Sequence, residues 1–263
     1  MRNHFGKCVL CGRDCELTFE HIPPRAAFNS TPARPVSGTE LFDDDEKMPW
    51  DLDGLQYENQ QRGMGRYTLC KTCNNNTGGW YADAYVNFSH ITHASMQENS
   101  PDSQKAIIFK ELYPLRIIKQ ILSMFCSINP SEKSRFDAIR SFVLNKDAVG
   151  LDKTKYKVCM YFTDSNLMKY AGLSVLIKWS NEGANTMALS EITAYPFGFI
   201  LYFNPTDAWE YKGIDITTFS DFGYNERVAI EFPWNIVEMN DVLPEDYRSK
   251  DEIIRCIERN KKL

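Results

Sequence analysis

The sequence predicts an α+β fold in which a small zinc-stapled N-terminal module precedes a helical segment and a mostly antiparallel β-sheet domain. Two C-x-x-C pairs within the first 73 residues, a stretch with little apolar periodicity, indicate the zinc-bound module. Apolar residues at helical spacing after Pro114 indicate the helical segment, and short apolar runs from residue 156 onward indicate the sheet. The polar stretch at 97–103 separates these patterns, so we expect domains at 1–98 and 99–263.

Composition and charge restrict the class of protein. With 43 % hydrophobic and 25 % charged residues, the chain has the composition of a soluble globular protein. It has no run of about 18 apolar residues and no apolar core of a secretory signal at its start, so we expect a cytoplasmic protein without a membrane span. The net charge of −5 argues against binding to nucleic acid by bulk charge alone. A nucleic-acid-binding protein of this composition needs a local basic surface.

The acidic run at 43–46 accounts for much of the negative charge of the N-terminal part. Such a run is typical of a solvated surface loop. The alternative is a phosphate mimic that covers an active cleft until substrate displaces it.

The C-x-x-C pairs consist of Cys8 with Cys11 and of Cys70 with Cys73. In a reducing compartment such pairs indicate metal ligands, because disulfides do not persist there. Four thiolates complete the tetrahedral shell of one zinc ion, so we expect a structural Zn²⁺ with no open position. Gly12 follows the first pair, where such turns often require a positive φ, and Cys15 is interpreted as a bystander. The alternative is two unrelated dithiol turns.

The elements are predicted from apolar spacing and from helix and strand breakers. A helix over 80–93 follows the turn signal Thr77-Gly78-Gly79, the next begins at Pro114 and ends before Pro130, and a third begins at Ser131. Five apolar runs predict the strands of the antiparallel sheet, at 156–163, 172–179, 187–193, 197–203 and 227–232. A capping box that opens with Ser249 predicts the last helix.

Two short motifs lie beside the cysteine pairs. Phe19-Glu20-His21-Ile22-Pro23-Pro24 follows the first pair, and Asn74-Asn75-Asn76 comes directly after Cys73. The order C-x-x-C, E-H-I-x-P, C-x-x-C-N resembles that of the HNH endonuclease family over roughly residues 8–90. The resemblance is to the zinc-bearing, four-cysteine branch with Asn at the last motif position, and it implies a ββα-metal fold that holds one catalytic divalent cation.

The resemblance implies a role for three residues. His21 matches the general base that takes a proton from the attacking water, and Glu20 and Asn74 match the ligands of the catalytic cation. Phosphodiester hydrolysis independently needs a base with a pKa near 7, which histidine offers, and a cation that neutralises charge on the leaving oxygen. Carboxylate and amide oxygens suit Mg²⁺ or Mn²⁺ rather than zinc, so we expect one of these as the catalytic cofactor.

The chain departs from the family at the position that orients the base. The strand before Cys70 lacks the central Asn of the family, and Asn59 or a backbone carbonyl are the alternatives that the sequence leaves open. His90 and His93 lie one helical turn apart and could approach the metal, although partly exposed helix positions are the simpler interpretation. The candidate phosphate contacts around the cleft are Arg25, Arg62, Arg66 and Lys71.

These observations predict a metal-dependent HNH endonuclease that hydrolyses phosphodiester bonds in double-stranded DNA. The alternatives are a zinc-stapled nucleic-acid or protein binding module that has lost catalysis, and a structural subunit of a larger effector. The sequence after residue 100 contains no histidine and no glycine-rich phosphate loop, so we expect the second domain to serve recognition, regulation or dimerisation. Restriction or anti-phage defence is the expected setting, by analogy with the context of other standalone HNH proteins.

Overall fold

The computed structural model describes residues 4–41, 48–51, 53–98, 106–180 and 183–260. The fold is mixed helix and sheet, as the α+β prediction requires. The acidic run at 43–46 lies outside the described residues. Within the described ranges, no helix has both the length and the apolar character that crossing a membrane requires.

The N-terminal part contains a three-stranded antiparallel sheet in the order β1-β2-β3, formed by β1 (His4–Lys7), β2 (Asp14–His21) and β3 (Gly65–Cys70). The first cysteine pair lies in the turn between β1 and β2, and β3 ends on Cys70. Leu17 is the β2 partner of Cys70, so the pairing of β2 with β3 brings both cysteine pairs to the same end of the sheet.

The helix that follows β3 begins nine residues earlier than predicted. Helix α1 (Lys71–Thr77) continues through a π-helical turn (Gly78–Ala82) into α2 (Asp83–Glu98). The predicted break at Gly78-Gly79 is wrong, because Gly78 has helical φ and ψ and both glycines stay within the helical run. The start is fixed instead by Cys70, whose Sγ accepts a hydrogen bond from the Cys73 backbone amide at 3.4 Å.

The middle of the chain centres on a buried helix. Strand β4 (Ala106–Leu112) leads into α3 (Pro114–Ile128), and α4 (Lys133–Leu144) follows. The predictions for α3 and α4 are confirmed to within two residues. Every side chain of α3 except that of Arg116 is buried, including four polar ones. A helix buried on all sides has to pair its polar groups inside the protein.

The C-terminal sheet is antiparallel throughout, with the order β6-β7-β8-β5-β9. Its strands are β5 (Tyr156–Phe162), β6 (Lys169–Ser180), β7 (Gly183–Ala194), β8 (Phe197–Phe203) and β9 (Ile214–Asp215). Four of the five predicted strands lie in it. The fifth, β10 (Val228–Pro233), instead pairs with β4 in a separate two-stranded ribbon, so the prediction of one five-stranded sheet from these runs is wrong.

The last helix, α5 (Lys250–Asn260), is confirmed together with its cap. The Glu252 amide donates to Ser249 Oγ at 3.3 Å, and the Ser249 amide donates to the Glu252 carboxylate at 2.8 Å. These two bonds satisfy backbone donors at the start of the helix, as in a capping box.

One apolar core runs through both parts of the chain. Phe88 of α2 stacks on Phe197 of β8 with 4.4 Å between the ring centroids, and the Tyr81 hydroxyl donates to the Val143 carbonyl at 2.6 Å. The core cluster extends from Cys8 to Phe232. The predicted boundary at residue 98 stays a prediction, but the described residues on its two sides are packed together.

Candidate functional site

The four predicted zinc ligands lie together. The Sγ atoms of Cys8, Cys11, Cys70 and Cys73 are all within 4.8 Å of one another, and the Cys11 and Cys70 sulfurs are 3.9 Å apart. A zinc ion about 2.3 Å from each of four sulfurs holds those sulfurs roughly 3.8 Å apart. The cluster could therefore hold a metal ion such as zinc. Cys15 lies outside this group, and its thiol donates to the Arg13 carbonyl.

Local backbone geometry aims the first cysteine pair at the second. The Gly12 amide donates to the Cys8 carbonyl at 2.9 Å, and Gly12 adopts the positive φ of +72° that its position predicts. The contact between the Cys8 and Cys73 side chains lowers the pKa of Cys8 and raises that of Cys73. Hydrogen bonding within the cluster thus favours a thiolate, the form that binds zinc.

A cleft of about 290 Å³ adjoins the end of β2 and the start of α1. It brings together the three residues to which the family resemblance assigns catalytic roles, Glu20, His21 and Asn74. The pairing of β2 with β3 shifts register between Thr18 and Phe19, where β3 carries the extra residue Thr68. Glu20 and His21 follow this bulge at the end of β2, and both line the cleft. The other lining residues are Phe19, Pro24, Arg25, Thr77, Gly78, Ala82 and Gln120.

His21 is oriented by a backbone carbonyl. Its Nε2 lies 3.0 Å from the Arg62 carbonyl oxygen. A carbonyl can only accept, so Nε2 carries the proton and Nδ1 of the neutral ring keeps its lone pair. Burial lowers the pKa of His21 and the nearby positive charge of Arg25 lowers it further, against the opposing effect of the Arg62 hydrogen bond. The imidazole is therefore neutral at pH 7 and can accept a proton.

Asn29 holds the two loops that meet at this histidine. Its Nδ2 donates to the carbonyls of Pro23 and Met64 at 2.7 and 2.8 Å, and its Oδ1 accepts from the Met64 amide at 2.7 Å. These bonds link the segment after His21 to the segment that supplies the Arg62 carbonyl. Nothing in the sequence points to Asn29, because a single asparagine in an irregular loop gives no signal.

Glu20 is a buried carboxylate that accepts hydrogen bonds from two hydroxyl groups. Its Oε2 accepts hydrogen bonds from Ser127 Oγ of α3 and from Thr68 Oγ1, the latter at 3.4 Å. No basic side chain forms an ion pair with it within the part of the chain that the structure describes. Burial raises the pKa of Glu20 to about 7. A carboxylate in this environment lacks a compensating positive charge, and a bound cation would supply one.

Asn74 leaves one polar atom for a ligand. Its Nδ2 donates to Thr18 Oγ1 at 2.9 Å and to the Phe19 carbonyl at 3.2 Å. Both bonds use the nitrogen, so the amide is held against β2, and among the described residues Oδ1 accepts no hydrogen bond. The donor set of Glu20 and Asn74 is all oxygen, which fits a hard divalent cation.

The four predicted phosphate contacts are only partly gathered at the cleft. Arg25 is exposed and lines it. Arg62 contributes its carbonyl to His21, the Arg66 guanidinium donates to the Ile128 carbonyl at 3.4 Å, and Lys71 is exposed on the first turn of α1. Their contact with nucleic acid stays a prediction.

The other two histidines considered in the sequence face different partners. His90 Nε2 lies 2.8 Å from the Ala26 carbonyl, and His93 Nδ1 lies 2.7 Å from the Tyr195 hydroxyl. Neither belongs to the lining of the cleft.

Comparison with known proteins assigns no family to this chain. No protein-family model matches it, and neither a curated protein nor a solved structure does. Inference about function therefore rests on the cysteine cluster and the cleft. Chemically, the cleft combines a neutral histidine with a free ring nitrogen, a buried carboxylate and an amide oxygen, a set suited to proton abstraction next to a bound divalent cation.

Proposed function

We propose that this chain is a metal-dependent endonuclease of the HNH type, which hydrolyses phosphodiester bonds in DNA. The observation that carries the proposal is that His21, Glu20 and Asn74 line one cleft. The hairpin of β2 and β3, followed directly by α1, has the element order of a ββα-metal module and supports the same assignment.

In this proposal His21 is the general base. Its Nδ1 accepts a proton from the attacking water while the Arg62 carbonyl holds the Nε2 proton. The water oxygen bonds to phosphorus, the bond from phosphorus to the leaving oxygen breaks, and that oxygen receives a proton from solvent. A base whose pKa is lowered below that of free histidine is in its active, unprotonated form at neutral pH.

Two kinds of metal site belong to the proposal. Glu20 and Asn74 would hold Mg²⁺ or Mn²⁺, which when bound neutralises charge on the phosphate and the leaving oxygen. Ser127 and Thr68 fix the Glu20 carboxylate in place for that purpose. The four-cysteine cluster would hold a structural zinc that joins the ends of the N-terminal sheet and takes no part in the chemistry.

DNA is the substrate that we propose, in double-stranded form. The candidate phosphate contacts begin with Arg25, which lines the cleft, and the exposed Arg62, whose carbonyl lies 3.0 Å from His21 Nε2. The other two are the exposed Lys71, three residues before Asn74, and Arg66. They would supply the local basic surface that a net charge of −5 demands of a DNA-binding protein.

Plasmid cleavage tests the proposal. We expect the zinc-loaded protein to nick or linearise supercoiled plasmid with Mn²⁺ or Mg²⁺ and to be inactive in EDTA. His21→Ala should lower the rate by about 100-fold or more, the usual loss when a general base is removed. His90→Ala is the matched control, because His90 lies outside the cleft, and it should keep the activity. Plasmid cleavage that survives His21→Ala would refute the proposal. So would a wild-type protein that cleaves plasmid with none of the divalent cations.

A second candidate is a zinc-stapled binding module without catalysis. It is favoured by the two hydroxyl donors on Glu20, which already satisfy one carboxylate oxygen without a metal. In that case the protein would bind nucleic acid or a protein partner without cleavage, and His21→Ala would leave binding unchanged.

A further inference from the structure

One wall of the cleft comes from the C-terminal part of the chain. Gln120 of α3 is among the lining residues, and only 4 % of its surface is exposed. Within the described residues, its buried Oε1 has no hydrogen-bond partner. Buried amide oxygens without a partner are rare in native proteins, and such an atom beside a cleft points to a ligand that is bound there.

Gln120 lies on the same face of α3 as Ser127, the residue that donates a hydrogen bond to the Glu20 carboxylate. Gln120 and Ser127 are seven residues apart, which is close to two helical turns, so both side chains lie on the same side of α3. Ser127 donates to Glu20 Oε2, so this side of the helix faces the cleft. The same face therefore carries a hydroxyl that orients Glu20 and an amide oxygen that has no partner.

We infer that Gln120 Oε1 is a third protein ligand of the divalent cation held by Glu20 and Asn74, which rests on the proposed function. The cleft already offers a carboxylate and an amide oxygen, and a hard cation prefers further neutral oxygen ligands of the carbonyl type. In the part of the chain that the structure describes, no group donates a hydrogen bond to Oε1, whereas a cation would satisfy it. The site then draws on both parts of the chain.

Manganese binding to the intact, zinc-loaded protein tests this inference. The loss of the electron paramagnetic resonance signal of free Mn²⁺ reports binding without any need for cleavage. Gln120→Met keeps the length of the side chain and removes the oxygen, and we expect it to weaken Mn²⁺ affinity about tenfold or more. Gln120→Glu returns an oxygen ligand and should bind Mn²⁺ at least as tightly as the wild type.

Ser123→Ala is the matched control on the same helix. Ser123 Oγ is also buried and without a hydrogen-bond partner among the described residues, but Ser123 does not line the cleft. We expect its Mn²⁺ affinity and the zinc content of all three variants to equal those of the wild type. A thermal melt of each variant separates a loss of folding from the loss of a metal ligand. The higher Mn²⁺ affinity expected of Gln120→Glu than of Gln120→Met compares two variants at the same position, so it does not require either to be as stable as the wild type.

The outcomes distinguish this inference from the proposed function. Wild-type Mn²⁺ affinity in Gln120→Met would overturn the inference, even if that variant had lost cleavage, because Gln120 would then contact substrate rather than the cation. Plasmid cleavage that requires His21 would still support the nuclease in that case. Conversely, a wild-type protein that binds Mn²⁺ but never cleaves DNA would refute the proposed nuclease function. The Mn²⁺ affinities of the Gln120 variants would still show whether Gln120 is a ligand of the cation.

Discussion

At the scale of single residues, the position of the base depends on Asn29. Three hydrogen bonds from this buried side chain tie the loop after His21 to the loop that supplies the Arg62 carbonyl. Asn29→Ala removes these partners from one buried backbone group, the Pro23 carbonyl, and from two part-buried ones on Met64. We expect it to lower the free energy of unfolding by about 2–3 kcal/mol and the rate of plasmid cleavage by about tenfold or more, because the base loses its fixed geometry. Urea unfolding and initial cleavage rates measure the two effects.

Asn75→Ala is the control for Asn29→Ala. Asn75 is exposed and adjacent to Asn74, so its loss should leave both quantities close to the wild type. Among the described residues Asn29 forms no hydrogen bond to Glu20 or Asn74, so the Mn²⁺ affinity of Asn29→Ala should also be unchanged. If Asn29→Ala had normal stability and a normal cleavage rate, the two loops would hold His21 in place without the hydrogen bonds of Asn29.

The candidate site was predictable only where its residues form a local motif. Glu20 and His21 are adjacent, and Asn74 follows a cysteine pair, so all three lie in the short motifs on which the resemblance to the HNH family rests. The group that orients His21 is a backbone carbonyl, which carries no sequence signal. Ser127 reaches Glu20 across 107 positions of the chain, a pairing that only the packing of α3 against β2 creates.

At the scale of elements, the run from α1 to α2 is continuous despite two glycines. Gly79 has no positive φ, and a Cβ added to it would meet no atom within 4 Å. Gly79→Ala should therefore raise the free energy of unfolding by about 0.5–1 kcal/mol, since alanine loses less backbone entropy in a helix. Urea denaturation of the metal-loaded protein measures the change.

Gly63→Ala gives the opposite expectation and serves as the contrast. Gly63 has a φ of +96°, and a Cβ there would lie 2.1 Å from the Asn29 carbonyl oxygen. Substitution should cost about 1–3 kcal/mol, because the backbone conformation is one that alanine avoids. If Gly79→Ala destabilised the protein to a similar degree, the helix would not continue through this position.

Elements with regular spacing were predictable, and those defined by long-range pairing were not. The apolar spacing after Pro114 predicts α3, and Ser249 predicts the cap of α5. Strand β4 was missed because its apolar run is short and ends at the charged pair Lys110-Glu111. The run also gives no sign of which side faces outward, and Ile108 is 63 % exposed in the structure. Without β4, the sequence offers no partner for β10 outside the C-terminal sheet.

At the scale of the whole molecule, the cleft and the core both cross the predicted boundary at residue 98. Glu20 is held by Ser127, and the Tyr170 hydroxyl donates to the Ile22 carbonyl directly after His21. Phe88 packs against Phe197 in the same core. The composition change at 97–103 marks a change of local pattern, but local pattern does not reveal whether two segments share an interior. A shared interior predicts cooperative unfolding.

The cysteine cluster should therefore stabilise the whole described structure rather than the N-terminal sheet alone. A structural zinc site contributes about 10 kcal/mol or more at pH 7, which is comparable with the total stability of a domain. We expect Cys73→Ser to lose zinc and to remove hydrogen-exchange protection in β8 as well as in β3. Cys15→Ser is the control, because Cys15 lies outside the cluster, and both strands should stay protected in it. Protection lost in β3 but kept in β8 would establish two independently folding domains, and the shared core would then not couple them.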